Sequence, residues 1–225
     1  MLEDRFPHGR PPLERAGVQL VDDVAPYELV KLRLLNAGHQ ALAHLGALAG
    51  HVHADEATAD PALAAFVLAY MEREATPTLA PVPGLDLPAY RRTLLERFGN
   101  RHVRDTLDRL RAEASDRIPA FLLPVVREQL AAGRSIAHCA LVVAAWARTL
   151  EGVDDAGRPL AVVDRRLEAV QEAAASRDTG RFLRRTGVFG ELADDPHVVA
   201  EVDRQRAALR AHGALGAVRA LRDEG

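Results

Sequence analysis

The chain has 225 residues, 48% of them hydrophobic and 27% charged, with a formal net charge of -3 at pH 7. That length and composition describe a globular chain with one sizeable core, or a main domain with a small annex, and exclude a disordered one. The weakly acidic balance gives no electrostatic reason to expect nucleic acid or an anionic membrane as partner, and the longest apolar run, residues 137–147, is too short to span a bilayer. Cys139 is the single cysteine, which rules out an internal disulfide framework. With no basic-then-apolar leader at the N-terminus, a cytoplasmic protein is expected.

The first expected element in chain order is a strand. Residues 17–24, GVQLVDDV, are rich in β-formers and close on the turn-forming Asp22 and Asp23. No other segment reads as a pairing partner, so the expectation is an orphan strand in a junction segment over 1–24. One explanation is that its sheet belongs to protein outside this chain.

From residue 25 onward the pattern is helical, which predicts an all-α domain over 25–225. A helix is expected from about Ala25, with Pro26 in its first turn and Gly50 at its end. Asp60 and Pro61 mark another helix start. The segment TPTLAPVPGLDLP, residues 76–88, is too proline-rich for a helix and reads as an ordered loop. Further helices are expected near 88–98, 102–113, 118–132, 135–151, 159–176 and 196–212. HVHADE, residues 51–56, has metal-like residue types, but three convergent ligands cannot be read from it and a solvated loop is expected. Cys139 and Trp146 read as packing residues within an apolar helix.

Lys31 is the only lysine among the 29 Lys and Arg residues. On a helical wheel at about 100° per residue, with Lys31 at zero, Asn36 falls near 140° and His39 near 80°. Along the axis Lys31 and Asn36 are about 7.5 Å apart at about 1.5 Å per residue. An amine, a carboxamide and an imidazole thus share one arc. Asn36 and Gly38 are poor helix formers set among leucines, and local rules broken inside a well-formed element often mark function. A lysine desolvated by burial can act as a general base, which arginine cannot. A carboxamide donor can stabilise a developing alkoxide, and a histidine can hold hydroxyls. Spacing alone leaves open a plain alternative, a surface lysine with a helix-bending Asn and a solvent-facing His.

The block EDRFPHGRPPLERAGVQLVDDVAPYELVKLRLLNAGHQALAHLG resembles the start of the C-terminal domain in the mannitol dehydrogenase family, the polyol-specific long-chain dehydrogenases. That family includes mannitol 2-dehydrogenases, arabinitol dehydrogenases and fructuronate reductases. The resemblance continues through TPTLAPVPGLDLPAYRRTLLERFGN and RDTLDRLRAEASDRIPAFLLP to GVFGELADDP, essentially the whole chain. It implies an all-α domain of the 6-phosphogluconate-dehydrogenase-like kind. It also implies Lys31 as general base, Asn36 as the group polarising the carbinol or carbonyl oxygen, and His39 as a substrate holder. Arg109 and Arg117 match family positions that contact sugar hydroxyls. The family more often has lysine at the position of Arg117, DGS where this chain has Glu113, Ala114 and Ser115, and proline where Arg101 stands.

The resemblance further implies NAD or NADP bound by an N-terminal Rossmann domain, supplied in cis or in trans, and no metal. No strand–G-x-G-x-x-G–helix unit occurs in these 225 residues. On this reading the chain is the substrate-binding and catalytic half of a polyol dehydrogenase. It would convert a sugar alcohol and its keto form (D-mannitol and D-fructose) or a keto-uronate, and would be inactive alone. The strand at 17–24 would join the Rossmann sheet. The rival reading is a non-catalytic truncated remnant or a helical interaction module.

Overall fold

Helices form where alanine, leucine and arginine recur at helical spacing, and they stop where glycine or proline interrupts it. The computed structural model describes residues 1–223. Near the N-terminus, strands β1 (Leu2–Glu3) and β2 (Leu20–Val21) pair in parallel, Leu2 opposite Leu20 and Glu3 opposite Val21. The strand expected at 17–24 is therefore shorter than its sequence suggested, and it is not an orphan. A ladder of two residues a side is too short to leave a periodic signature, which is why Leu2–Glu3 went unread as its partner.

Helix α1 (Ala25–Val30), with Pro26 in its first turn, continues unbroken through a π-turn, π1 (Lys31–Asn36), into α2 (Ala37–Leu48). Gly50, at φ 90°, lies just past the end of the run. Next come α3 (Ala54–Ala59) and α4 (Pro61–Ala69). The Asp60 carboxylate caps α4 by accepting from the N–H groups of Ala62 and Leu63. A second π-turn, π2 (Tyr70–Ala75), continues α4. After a short 3-10 turn, Thr76–Thr78, the proline-rich segment runs as a loop to α5 (Leu87–Phe98).

The next stretch is α6 (Leu107–Arg111), α7 (Ala114–Arg117), the π-turn π3 (Ile118–Leu122) and α8 (Leu123–Ala131). It is followed by α9 (Ala137–Thr149), α10 (Leu167–Ala174), α11 (Thr179–Thr186) and α12 (Pro196–Asp223). Helices α2 and α9 are buried over most of their surface, which accounts for their largely apolar sequences. They pack on each other, with α12 along α9 and α6 across α2. Cys139 and Trp146 lie in this core, the indole ring against Phe182 and Phe189. The buried Glu74 carboxylate is satisfied at the start of α9, where it accepts from the backbone N–H of His138 and Cys139.

Several boundaries moved for local reasons. The helix expected over 102–113 starts only at Leu107, because Arg104 adopts φ 46° and Thr106 caps the helix by accepting from the Arg109 N–H. The helix expected over 159–176 starts at Leu167. The preceding Asp164 is held by Ser115, which donates to it from both its N–H and its hydroxyl. Residues 51–53 lie outside any helix, as expected, but residues 54–56 already open α3, with His53 and Glu56 forming its capping box. The helix expected over 196–212 does end there: Gly213 (φ 66°, ψ -179°) is non-helical and kinks α12. Asp155 accepts from the Ala214 N–H at 2.6 Å, and a further helical stretch follows to Asp223.

Candidate active site

The site is built on π1. In an α-helix the Ala37 N–H would bond to the Arg33 carbonyl; here it donates to the carbonyls of Leu32 and Leu34. Bonding between residues five apart aligns i with i+5 as an α-helix aligns i with i+4. Lys31 and Asn36, the two ends of π1, are thus brought closer to one face of the helix than an α-helical turn would place them. His39 follows on the same face one turn into α2. The helical wheel understated this convergence because it assumed a uniform turn.

Their surroundings differ. Lys31 is exposed, while Asn36 and His39 are half-buried. Among the described residues neither the Lys31 amine nor the Asn36 carboxamide takes part in a side-chain hydrogen bond or ion pair. The His39 ring packs on Phe98 with centroids 4.2 Å apart. Burial pushes its imidazole down to about 4, Asp105 opposing and the cations of Arg109, Arg117 and Arg97 adding to the fall. A neutral imidazole offers one donor and one acceptor, which suits a hydroxyl.

His39 lines a cleft of about 190 Å³ together with Leu35, Arg97, Phe98, Asn100 and Asp105. Lys31, Asn36, Arg109 and Arg117 do not line it, so His39 is the one predicted site residue in its wall. Lys31 stands one helical turn before Leu35, toward the exposed end of the face. Arg109 is exposed and engages Asp105 with two guanidinium nitrogens, Nε to Oδ1 at 2.6 Å and Nη2 to Oδ2. That contact holds the Asp105 carboxyl below its ordinary value. Arg117 is half-buried and spends Nη1 on the carbonyls of Leu110 (2.7 Å) and Arg109 (3.2 Å) at the end of α6. Buried Gln40 also donates to Leu110, at 2.8 Å, which ties α2 to the same helix end. The positions of His39, Arg109 and Arg117 are thereby coupled.

Asp105, Arg97, Asn100 and Gln40 were not singled out from the sequence. The only available signal was the Asp105–Arg109 spacing of four, a common salt-bridge pattern. Gly38, suspected of a functional role, has a packing one: a Cβ there would meet Met71 Cε at 2.7 Å and Phe98 at 3.6 Å.

The model of the mannitol dehydrogenase C-terminal domain matches residues 23–210. The chain belongs to the mannitol dehydrogenase family. Mannitol 2-dehydrogenase of Pyrenophora tritici-repentis is 39% identical over 222 residues, 97% of this chain and 39% of the relative. A mannitol dehydrogenase of Saccharomyces cerevisiae is 36% identical over 228 residues, covering all of this chain and 45% of that one. The solved Pseudomonas fluorescens mannitol 2-dehydrogenase ternary complex with NAD and D-mannitol superimposes with a TM-score of 0.92 at 37% identity. It covers 100% of this chain and 46% of its own. A substrate-free D-sorbitol dehydrogenase gives 0.91 at 30% identity, with 96% and 46% covered. The chain thus spans less than half the length of these relatives.

A dinucleotide does not fit the described residues. Both strands are two residues long, and β2 runs into α1 without a glycine-rich turn to cradle a pyrophosphate. Among the described residues, no group of three or more His, Cys, Asp or Glu is placed to hold a metal ion.

Proposed function

We propose that this chain supplies the substrate-binding and catalytic half of an NAD(P)-dependent polyol dehydrogenase, with D-mannitol and D-fructose as the first pair to test. The nicotinamide provides the hydride acceptor and is held by a second unit, in cis or in trans. The observation that carries this reading is that π1 brings Lys31, Asn36 and His39 toward one face, in a chain whose family acts on polyols.

In the oxidation direction Lys31 takes the proton from the reacting hydroxyl, and in reduction it returns one. Its exposed position means that the desolvation a lysine base requires comes from whatever covers this face in the assembled enzyme. The Asn36 carboxamide donates to the reacting oxygen, stabilising the charge that develops there. His39, neutral and fixed against Phe98, holds a neighbouring hydroxyl. Arg109, steered by Asp105, and Arg117, through the nitrogens not used on α6, orient the rest of the polyol.

The chain joined to, or mixed with, a dinucleotide-binding half from a relative tests this. NADH should appear on adding D-mannitol. A demonstrated complex of the two halves with no turnover of any hexitol or keto-uronate would reject the reading in favour of a non-catalytic module.

A further inference from the structure

The π-turn that carries Lys31 and Asn36 leaves one backbone group to be accounted for. With the Ala37 N–H committed to Leu32 and Leu34, the Arg33 carbonyl has lost its α-helical donor. A buried carbonyl without a partner is costly, and most are satisfied. Here the partner comes from another element: the Tyr70 hydroxyl, at the first residue of π2, donates to the Arg33 carbonyl at 2.8 Å.

We propose that Tyr70 is a positioning residue of the active site: its phenol holds π1 open by occupying the carbonyl that an α-helical turn would use, and so keeps Lys31 near the face of Asn36. This rests on the function proposed above. Tyr70 is fully buried among core side chains, and its hydroxyl reaches π1 at the Arg33 backbone. Burial drives its phenol well above the ordinary tyrosine value, so the proton needed for donation stays in place at any working pH.

Arg33 is fixed at its other end too. Its guanidinium donates to the Thr78 carbonyl at 2.5 Å and to Glu128 at 2.6 Å. Backbone and side chain of this one residue therefore pin the middle of π1 to three other parts of the fold. Removing the phenol oxygen frees the Arg33 carbonyl to recapture the Ala37 N–H. That repair converts π1 to α-helix and rotates Lys31 away from Asn36.

The test is Tyr70→Phe, which deletes one oxygen and keeps the ring. In the 225-residue chain, NMR couplings across hydrogen bonds should show the Ala37 N–H moving from Leu32 to Arg33. In the chain joined to a dinucleotide-binding half, well below the melting temperature, kcat for polyol oxidation should fall by about 10- to 10²-fold, the scale of a misplacement near 1 Å. KM should change little, because Arg109 and Arg117 lie outside π1. A loss of core stability alone would leave kcat untouched at that temperature. An unmoved Ala37 bond, or a wild-type kcat despite a moved one, overturns the proposal. So does a wild-type chain in which Ala37 already bonds to Arg33, a measurement that decides the matter even if the variant fails to fold. If the joined wild-type enzyme turns over no substrate, the proposed function falls, while the hydrogen-bond readout still decides whether Tyr70 holds π1.

Discussion

The His39 ring lies against Phe98 with centroids 4.2 Å apart and planes tilted by 32°. That contact contributes to the burial that keeps the imidazole neutral down to about pH 4. His44, five residues on, is pushed down to about 3 by burial and by Arg111. Its Nδ1 lies 3.0 Å from the Thr149 hydroxyl, which itself donates to the Trp146 carbonyl, so the proton is assigned to Nδ1.

Both histidines take up protons more readily unfolded than folded. As pH falls from about 6.5 toward 4 the unfolded chain binds protons that the folded chain refuses, so stability falls over that window. Each histidine accounts for a loss on the order of 2–3 kcal/mol. Urea unfolding at pH 7.5, 6 and 5 should show the decline, and His39→Asn should flatten it. A slope the same with and without His39 would contradict the assignment.

Gly46 marks where α2 comes closest to its neighbours. A Cβ there would meet Ala57 Cβ at 2.8 Å and Leu107 Cδ1 at 3.0 Å, and the alanine methyl has nowhere to swing. Overpacking costs typically about 1–3 kcal/mol, against about 1 kcal/mol gained in helix propensity. Gly46→Ala should therefore be net destabilising in chemical denaturation. Equal or greater stability would mean that α3 and α6 are not seated on α2 as described.

Some of this was legible in the sequence and some was not. Pro26, Gly50 and Asp60 mark helix ends by local chemistry, and each lies at or just beside the helix terminus it signals. Lys31, Asn36 and His39 were readable as one face, and the family block around them was readable as a whole. The π-turns were not, because a periodic reading assumes one turn length and the added residue leaves no composition signal. Tyr70 lies 37 residues from the carbonyl it satisfies, and Gln40 lies 70 residues from the one it holds. Such pairings depend on how helices pack. Helix α11 was missed because Gly180 and four arginines near it mask its single apolar face.

Asp105 should matter through Arg109. Asp105→Asn removes the carboxylate that fixes two guanidinium nitrogens and opposes the acid shift of His39. In the joined enzyme KM for the polyol should rise several-fold more than kcat falls. A change confined to kcat would place Asp105 in the chemical step instead.

The 225-residue chain alone should bind nicotinamide dinucleotides negligibly, since its described residues hold no phosphate-cradling turn after a strand. Calorimetric titration with NADH and NADPH checks this. Saturable micromolar binding of either would contradict the division of labour between two units.

The central claim is that Lys31 moves the proton, and Lys31→Arg in the joined enzyme tests it most directly. The substitution keeps the charge and much of the bulk, but a guanidinium holds its proton to above about pH 12. Loss of a general base typically costs about 10²–10⁴-fold. The wild-type rate of polyol oxidation should rise with pH through one ionisation. Lys31→Arg should lose most of kcat and that ionisation together, and Lys31→Ala should be equally slow but partly restored by small primary amines. If Lys31→Arg keeps near-full activity with an unchanged pH profile, Lys31 is only a charge on a helix, and the mechanism is wrong at its centre.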